Sequence, residues 1–212
     1  TAGLGVNGND LDATIYNVLL DRNVNVEQVI HPTAIEGMDL VPANIDLSAA
    51  EIQMVNEVAR EMALARALHP VSEKYDVILI DCQPSLGLLT VNALTAAHGV
   101  MIPMETEFFA LRGVALLVET IEKVRDRLNP KLKIDGILAT MVDTRTLHSR
   151  EVMERLQEAF GDRVYQTVIR RTVKFPDASV ATEPITTFAP SHPGAAAYRQ
   201  LAREVIARGD AA

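Results

Sequence analysis

The run Val77-Ile78-Leu79-Ile80-Asp81 limits the possible folds more than any other part of this chain. A half-exposed strand alternates apolar with polar residues, because successive side chains point to opposite faces. Residues 75–81 do not alternate after Asp76, so they predict a strand covered on both faces, at the centre of a parallel sheet. Such a sheet needs crossover helices, and the rest of the sequence supplies candidates for them.

Residues 38–42 predict a short strand. Residues 47–68 predict a long helix opened by Ser48-x-x-Glu51, a capping box. Helices follow at 86–97, at 110–128 (stopped by Asn129-Pro130), at 149–160, and at 194–207, entered through Ser191 and Pro193. Strands are expected at 99–103, 134–142 and 163–169. The fold class is therefore α/β: a doubly wound, mostly parallel sheet with helices on both faces. No repeat or linker interrupts it, which predicts one domain over residues 1–212.

Composition narrows the function classes. At 212 residues, 48% of them hydrophobic and with no run of 18 apolar residues, a soluble globular protein is expected. The segment Thr1 to Asp10 has neither the basic start nor the apolar block of a signal peptide. Cys82 is the only cysteine, which excludes an internal disulfide or a Cys-rich metal site and fits a reducing cytosol. Cys82 itself reads as a buried, inert thiol. The net charge of −8 hides an uneven distribution: residues 145–174 hold seven basic residues against four acids. Such a segment is an interaction surface or a solvated helix face.

Ligands of doubly wound sheets bind outside the carboxyl ends of the strands. Asp81 ends the apolar run, where a carboxylate can hold Mg²⁺ through water. An Asp that only caps the next helix gives the same pattern. Glu105 and Glu107 follow a strand end and either line the crevice or are loop charges. The five histidines show no metal-ligand spacing.

The segment from Asp81 to Thr90, Asp-Cys-Gln-Pro-Ser-Leu-Gly-Leu-Leu-Thr, closely resembles the strand-to-switch region of ParA/Soj proteins, in the MinD/ParA class of P-loop ATPases. Leu47-Ser48-Ala49-Ala50-Glu51, Glu107-Phe108-Phe109-Ala110-Leu111-Arg112-Gly113, Gly136-Ile137-Leu138-Ala139-Thr140-Met141 and Gly194-Ala195-Ala196-Ala197-Tyr198 also resemble that family, in order. The resemblance implies ATP and Mg²⁺ as cofactors, with Asp81 as the Walker B carboxylate and catalytic residue. Gln83 and Pro84 would belong to the switch that senses the γ-phosphate. Thr140, Met141, Arg170 and Thr172 would lie at the nucleotide base; many relatives carry Pro and Asn in place of Arg170 and Thr172, so contacts there fall to the backbone. Arg145, Lys174 and Arg171 would bind DNA without regard to sequence, although ordinary surface charge looks the same. The implied partners are non-specific DNA, a ParB-type centromere-binding protein and a second copy in an ATP-bound homodimer, at a cytoplasmic, nucleoid-associated location. The implied role is ATP-dependent segregation of chromosomes or plasmids.

No G-x-x-x-x-G-K-[ST] occurs, and Gly3-Leu4-Gly5-Val6-Asn7-Gly8 lacks both the lysine and a preceding strand. The expectation is an amino-terminally truncated domain whose first strand and P-loop are missing, and which alone is inactive as an ATPase. Two alternatives remain. A MinD-like membrane-associated ATPase is disfavoured by the mixed charge of residues 202–212, with no membrane partner expected. The other is a truncated, non-enzymatic DNA-binding scaffold.

Overall fold

Helices begin where the sequence supplies acceptors for their free amides. The computed structural model describes residues 1–210, apart from the side chains of residues 108, 109 and 210. Its first helix, α1 (Ile15–Leu20), starts at Thr14, whose hydroxyl accepts from the Tyr16 amide while Asn17 Oδ1 accepts from the Thr14 amide. The chain divides into two units, Thr1–His98 with Lys123–Leu132, and Gly99–Glu122 with Lys133–Ala212.

In the first unit, α1 is followed by α2 (Val26–Val29) and by the antiparallel pair β1 (His31–Pro32) and β2 (Asp39–Leu40). Val26, Val29 and Val71 form the core here, with Val18, Val41 and Leu68 packed against them. Next come α3 (Leu47–Gln53), α4 (Ala63–Leu68) and α5 (Leu88–Ala96). The single helix expected over 47–68 is thus broken into α3 and α4. Ala50 and Met54 are buried, but Val58, the next position on that stripe, is 89% exposed. With no apolar face to bury, the helix has nothing to hold it beyond propensity, and Ala59 turns the chain with φ +54°. Asn92 joins α5 to the entry of α4: its side-chain oxygen accepts from Leu64 N at 3.0 Å, and its amide donates to Arg60 O at 2.9 Å and Leu88 O at 3.0 Å.

Two further expectations are corrected here. The capping box does not form: the amides of Leu47, Ser48 and Ala49 already donate to the carbonyls of Asn44, Ile45 and Asp46. Ser48 Oγ donates to Ile45 O, and Glu51 is left to reach a different helix. The central strand over 75–81 is also absent. A strand exists by pairing, and among the described residues none pairs with this segment. Val77 and Leu79 are 64% and 85% exposed.

The second unit contains the parallel sheet. β3 (Gly99–Glu105) leads into α6 (Phe108–Arg127), which runs on into the first unit, and then β4 (Lys133–Thr140) pairs with β3 in parallel. After α7 (Leu147–Phe160) the chain returns beside β4, with parallel bridges Ile137–Val164 and Val142–Arg170. The strand expected over 163–169 is reduced to these bridges. Tyr165 N and Ile169 N donate to Ile137 O and Ala139 O, but the Thr167 amide between them donates to the Glu204 carboxylate. The chain closes with α8 (Lys174–Val180), α9 (Ile185–Phe188) and α10 (Pro193–Asp210). Leu138, Tyr165, Ile169 and Leu201 form the sheet-side core. Gly136 is required in β4, since a Cβ there would lie 2.7 Å from both Arg163 O and the Tyr165 ring. Among the described residues no helix is long and apolar enough to cross a membrane; residues 211 and 212 of the tail lie outside them.

Candidate nucleotide and nucleic-acid sites

In the first unit the loop after the apolar run is held by its own turn and by Glu51. Ser85 N donates to Gln83 O at 2.8 Å, and Thr90 Oγ1 donates to Ser85 O at 2.7 Å. Glu51 Oε1 accepts from the Leu89 amide at 3.2 Å, in the first turn of α5, and from Gln83 Nε2 at 3.4 Å. A carboxylate is favoured at that position by the positive end of the helix dipole. Gly87 leaves room for it, since a Cβ there would fall 2.2 Å from Glu51 Oε1. Asp81, Gln83 and Pro84 are exposed on this loop. Mg²⁺ uses one or two protein carboxylates and keeps most of its water. A single accessible Asp81 fits that requirement, and among the described residues no cluster of three His, Cys, Asp or Glu side chains offers a richer one. Cys82 is exposed rather than buried, with Sγ 3.6 Å from Ile80 O. Its expected burial disappears with the strand before it, although partial desolvation and the Asp81 charge still push its thiol upward.

In the second unit the carboxyl end of β4 and the returning chain beside it bring together most of the other predicted residues. Thr140 ends β4, and Met141 follows with φ +53°, a left-handed conformation uncommon outside glycine. That turn aligns Val142 with the returning chain: Val142 N donates to Ile169 O at 3.1 Å and Arg171 N donates to Val142 O at 3.2 Å. Thr140, Met141, Arg170 and Arg171 therefore share one sheet end. Thr172 is close by in sequence, and its hydroxyl accepts from Lys174 N at 3.2 Å and lies 3.5 Å from His192 Nε2. His192 Nδ1 in turn accepts from Gly194 N at the start of α10.

Arg145 and Lys174 each lie three residues past the hydrogen-bonded Val142 and Arg171, and each is held by a carboxylate of its own. Arg145 grips Asp143 with Nε at 2.9 Å from Oδ1 and Nη2 at 2.7 Å from Oδ2. Hydrogen bonds from the Arg145 side chain, then its amide, then the charges of Arg145 and Arg171 hold the Asp143 carboxyl down at about 2. Lys174 Nζ lies 2.9 Å from Asp177 Oδ2. Arg150 Nε donates to Thr144 O and braces the same turn. Arg170 and Arg171 are exposed. Asp143 lies just outside the basic segment at 145–174 and was not among the expected site residues; the signal available was the Asp-Thr-Arg-Thr turn, in which a side-chain oxygen accepts the amide two residues on. Glu105 and Glu107 line an open concavity of about 380 Å³ between β3 and α6, walled by Ile102, Met104, Val114 and Leu117. Two carboxylates at its edge make it unsuited to phosphate.

Comparison with known proteins decides the family. A family model described as an AAA domain matches residues 1–134. The sporulation initiation inhibitor protein Soj of Bacillus subtilis (strain 168) is 44% identical over 99% of this chain and 82% of its own length. The chain belongs to the ParA/Soj family. An uncharacterized protein of Mycobacterium tuberculosis (strain ATCC 25618 / H37Rv) is 64% identical over 98% of the chain, which spans 65% of that relative's length. Among solved structures, a cobyrinic acid a,c-diamide synthase from Mycobacterium smegmatis with bound ADP and magnesium superimposes with a TM-score of 0.74. The match is 41% identical and covers 84% of this chain and 71% of that one. The ParA/Soj fold is thus the α/β arrangement expected from the sequence.

Proposed function

We propose that this chain is part of an ATP-dependent DNA-segregation protein in which the second unit's basic sheet end binds DNA and the Asp81 loop serves ATP. The observation that carries the reading is the pairing of Val142 with the returning chain, which brings Arg171 near the Arg145–Asp143 turn at the end of β4, with Thr140, Met141 and Arg170 alongside and Thr172 and Lys174 following in sequence. Basic side chains there neutralise phosphates and release counterions, which gives binding that ignores sequence and weakens with salt. Thr140, Met141, Arg170 and Thr172 would hold the nucleotide base, largely through backbone.

Asp81 would accept hydrogen bonds from the water shell of magnesium, and Gln83 and Pro84 would respond to the terminal phosphate. When bound, the metal neutralises charge that develops on the transferring phosphoryl group. An ATP-bound homodimer would double the basic surface, linking nucleotide to DNA affinity. A ParB-type partner that speeds hydrolysis would then direct release, in the cytoplasm at the nucleoid. ATPases of chromosome partitioning among the relatives support this reading.

The test is binding to random-sequence DNA across a salt series, with and without an ATP analogue and magnesium. Arg145→Gln and Lys174→Gln should each reduce the slope of log affinity against log salt by about 0.9 per chain, the value for one phosphate contact, and leave nucleotide binding unchanged. Slopes equal to that of the unmodified protein would remove DNA from the proposal.

A further inference from the structure

The turn that carries Arg145 is fixed before any ligand arrives. Asp143 O accepts from the Thr146 amide at 3.2 Å and the Thr146 hydroxyl at 3.0 Å. Thr146 Oγ1 then caps α7 by accepting from Ser149 N. Within this frame Asp143 Oδ1 accepts from both the amide and Nε of Arg145, while Oδ2 accepts from Nη2. Both carboxylate oxygens therefore occupy the guanidinium fork, in the two-point geometry that a phosphate would adopt.

We propose that Asp143 is an internal stand-in for nucleic-acid phosphate, which DNA displaces from Arg145, so that this carboxylate sets the affinity of the basic surface. The inference rests on Arg145, Arg171 and Lys174 being phosphate contacts. The Arg145 side chain is 88% exposed, and exposed pairs of this kind are weak, so a DNA backbone competes for the guanidinium without unfolding the turn. After exchange the released carboxylate stays beside the phosphates and near Arg171, opposing the complex. Lys174 and Asp177, three residues apart on α8, form a second pair of the same kind. The Asp143 carboxyl is held so far down that neutral solution never protonates it, and a competing anion is what opens the pair.

The decisive experiment compares the full chain with Asp143→Asn, Arg145→Gln and the double variant, by fluorescence anisotropy of a random-sequence duplex over a potassium chloride series. Asparagine keeps an oxygen for the Arg145 amide, so the turn is retained. Asp143→Asn should bind roughly two- to five-fold tighter at low salt, with the slope little changed, because Arg145 makes the same single phosphate contact in both proteins. In the Arg145→Gln background the gain should vanish. No gain, or an equal gain without Arg145, overturns the stand-in. Unchanged affinity in both Arg145→Gln and Lys174→Gln overturns the underlying phosphate surface instead.

Discussion

Asn92 shows how one buried amide can hold several elements. It is 1% exposed, and its side chain serves Leu64 N, Arg60 O and Leu88 O. Asn92→Ala strands the buried Leu64 amide, at a cost of about 2–3 kcal/mol. Urea unfolding should register this as a lower midpoint at unchanged slope. None of this was legible in the sequence, because a polar residue in an apolar helix signals nothing until its partners on α4 are known. Asp143 was hidden for a different reason: it falls two residues before the basic segment at 145–174, and only the folded turn makes it the arginine's ligand. Residues placed by the order of motifs fared differently. Thr140 and Met141 end and follow β4, whose strand character is plain, and the bridge from Val142 to Arg170 brings Arg170 and Arg171 to the same end.

At the scale of elements, α10 is joined to the sheet by a pair of charged side chains. Glu204 accepts from the amides of Gln166 and Thr167 at 2.8 and 3.0 Å. Arg208 donates to Asp135 O, Val164 O and Glu204, with its guanidinium 4.1 Å above the Tyr165 ring. Burial pushes the Glu204 carboxyl up, but the two amides and Arg208 outweigh it and hold it below its usual value. The resulting stabilisation is present above the unfolded carboxylate value of about 4.3 and is lost as pH falls through the lower folded value. Glu204→Gln should cost about 1.5–3 kcal/mol at neutral pH and flatten the acid limb of a stability–pH curve. β3, β4 and α7 were legible because their apolar periodicity suffices to place them. The helix over 47–68 and the strand over 163–169 were not, because a missing apolar contact at Val58 and a carboxylate arriving from α10 decide them.

At the scale of the whole molecule, the segment that best predicted a sheet is left outside one. Its apolar content correctly signalled the α/β class, yet pairing depends on a neighbour and not on the segment itself. With Val77, Ile78 and Leu79 exposed, the chain presents a β-prone apolar stretch of the kind that recruits other chains. Val77→Thr combined with Leu79→Thr should reduce self-association in static light scattering while changing stability by less than about 0.5 kcal/mol. Arg208 carries another consequence. It binds Asp135 O across 73 residues and Val164 O across 44. Contacts so distant in sequence close late and slow the search for the native state. During synthesis the second unit must therefore wait, its outer edge unfinished, until the ribosome has released nearly the last turn of α10.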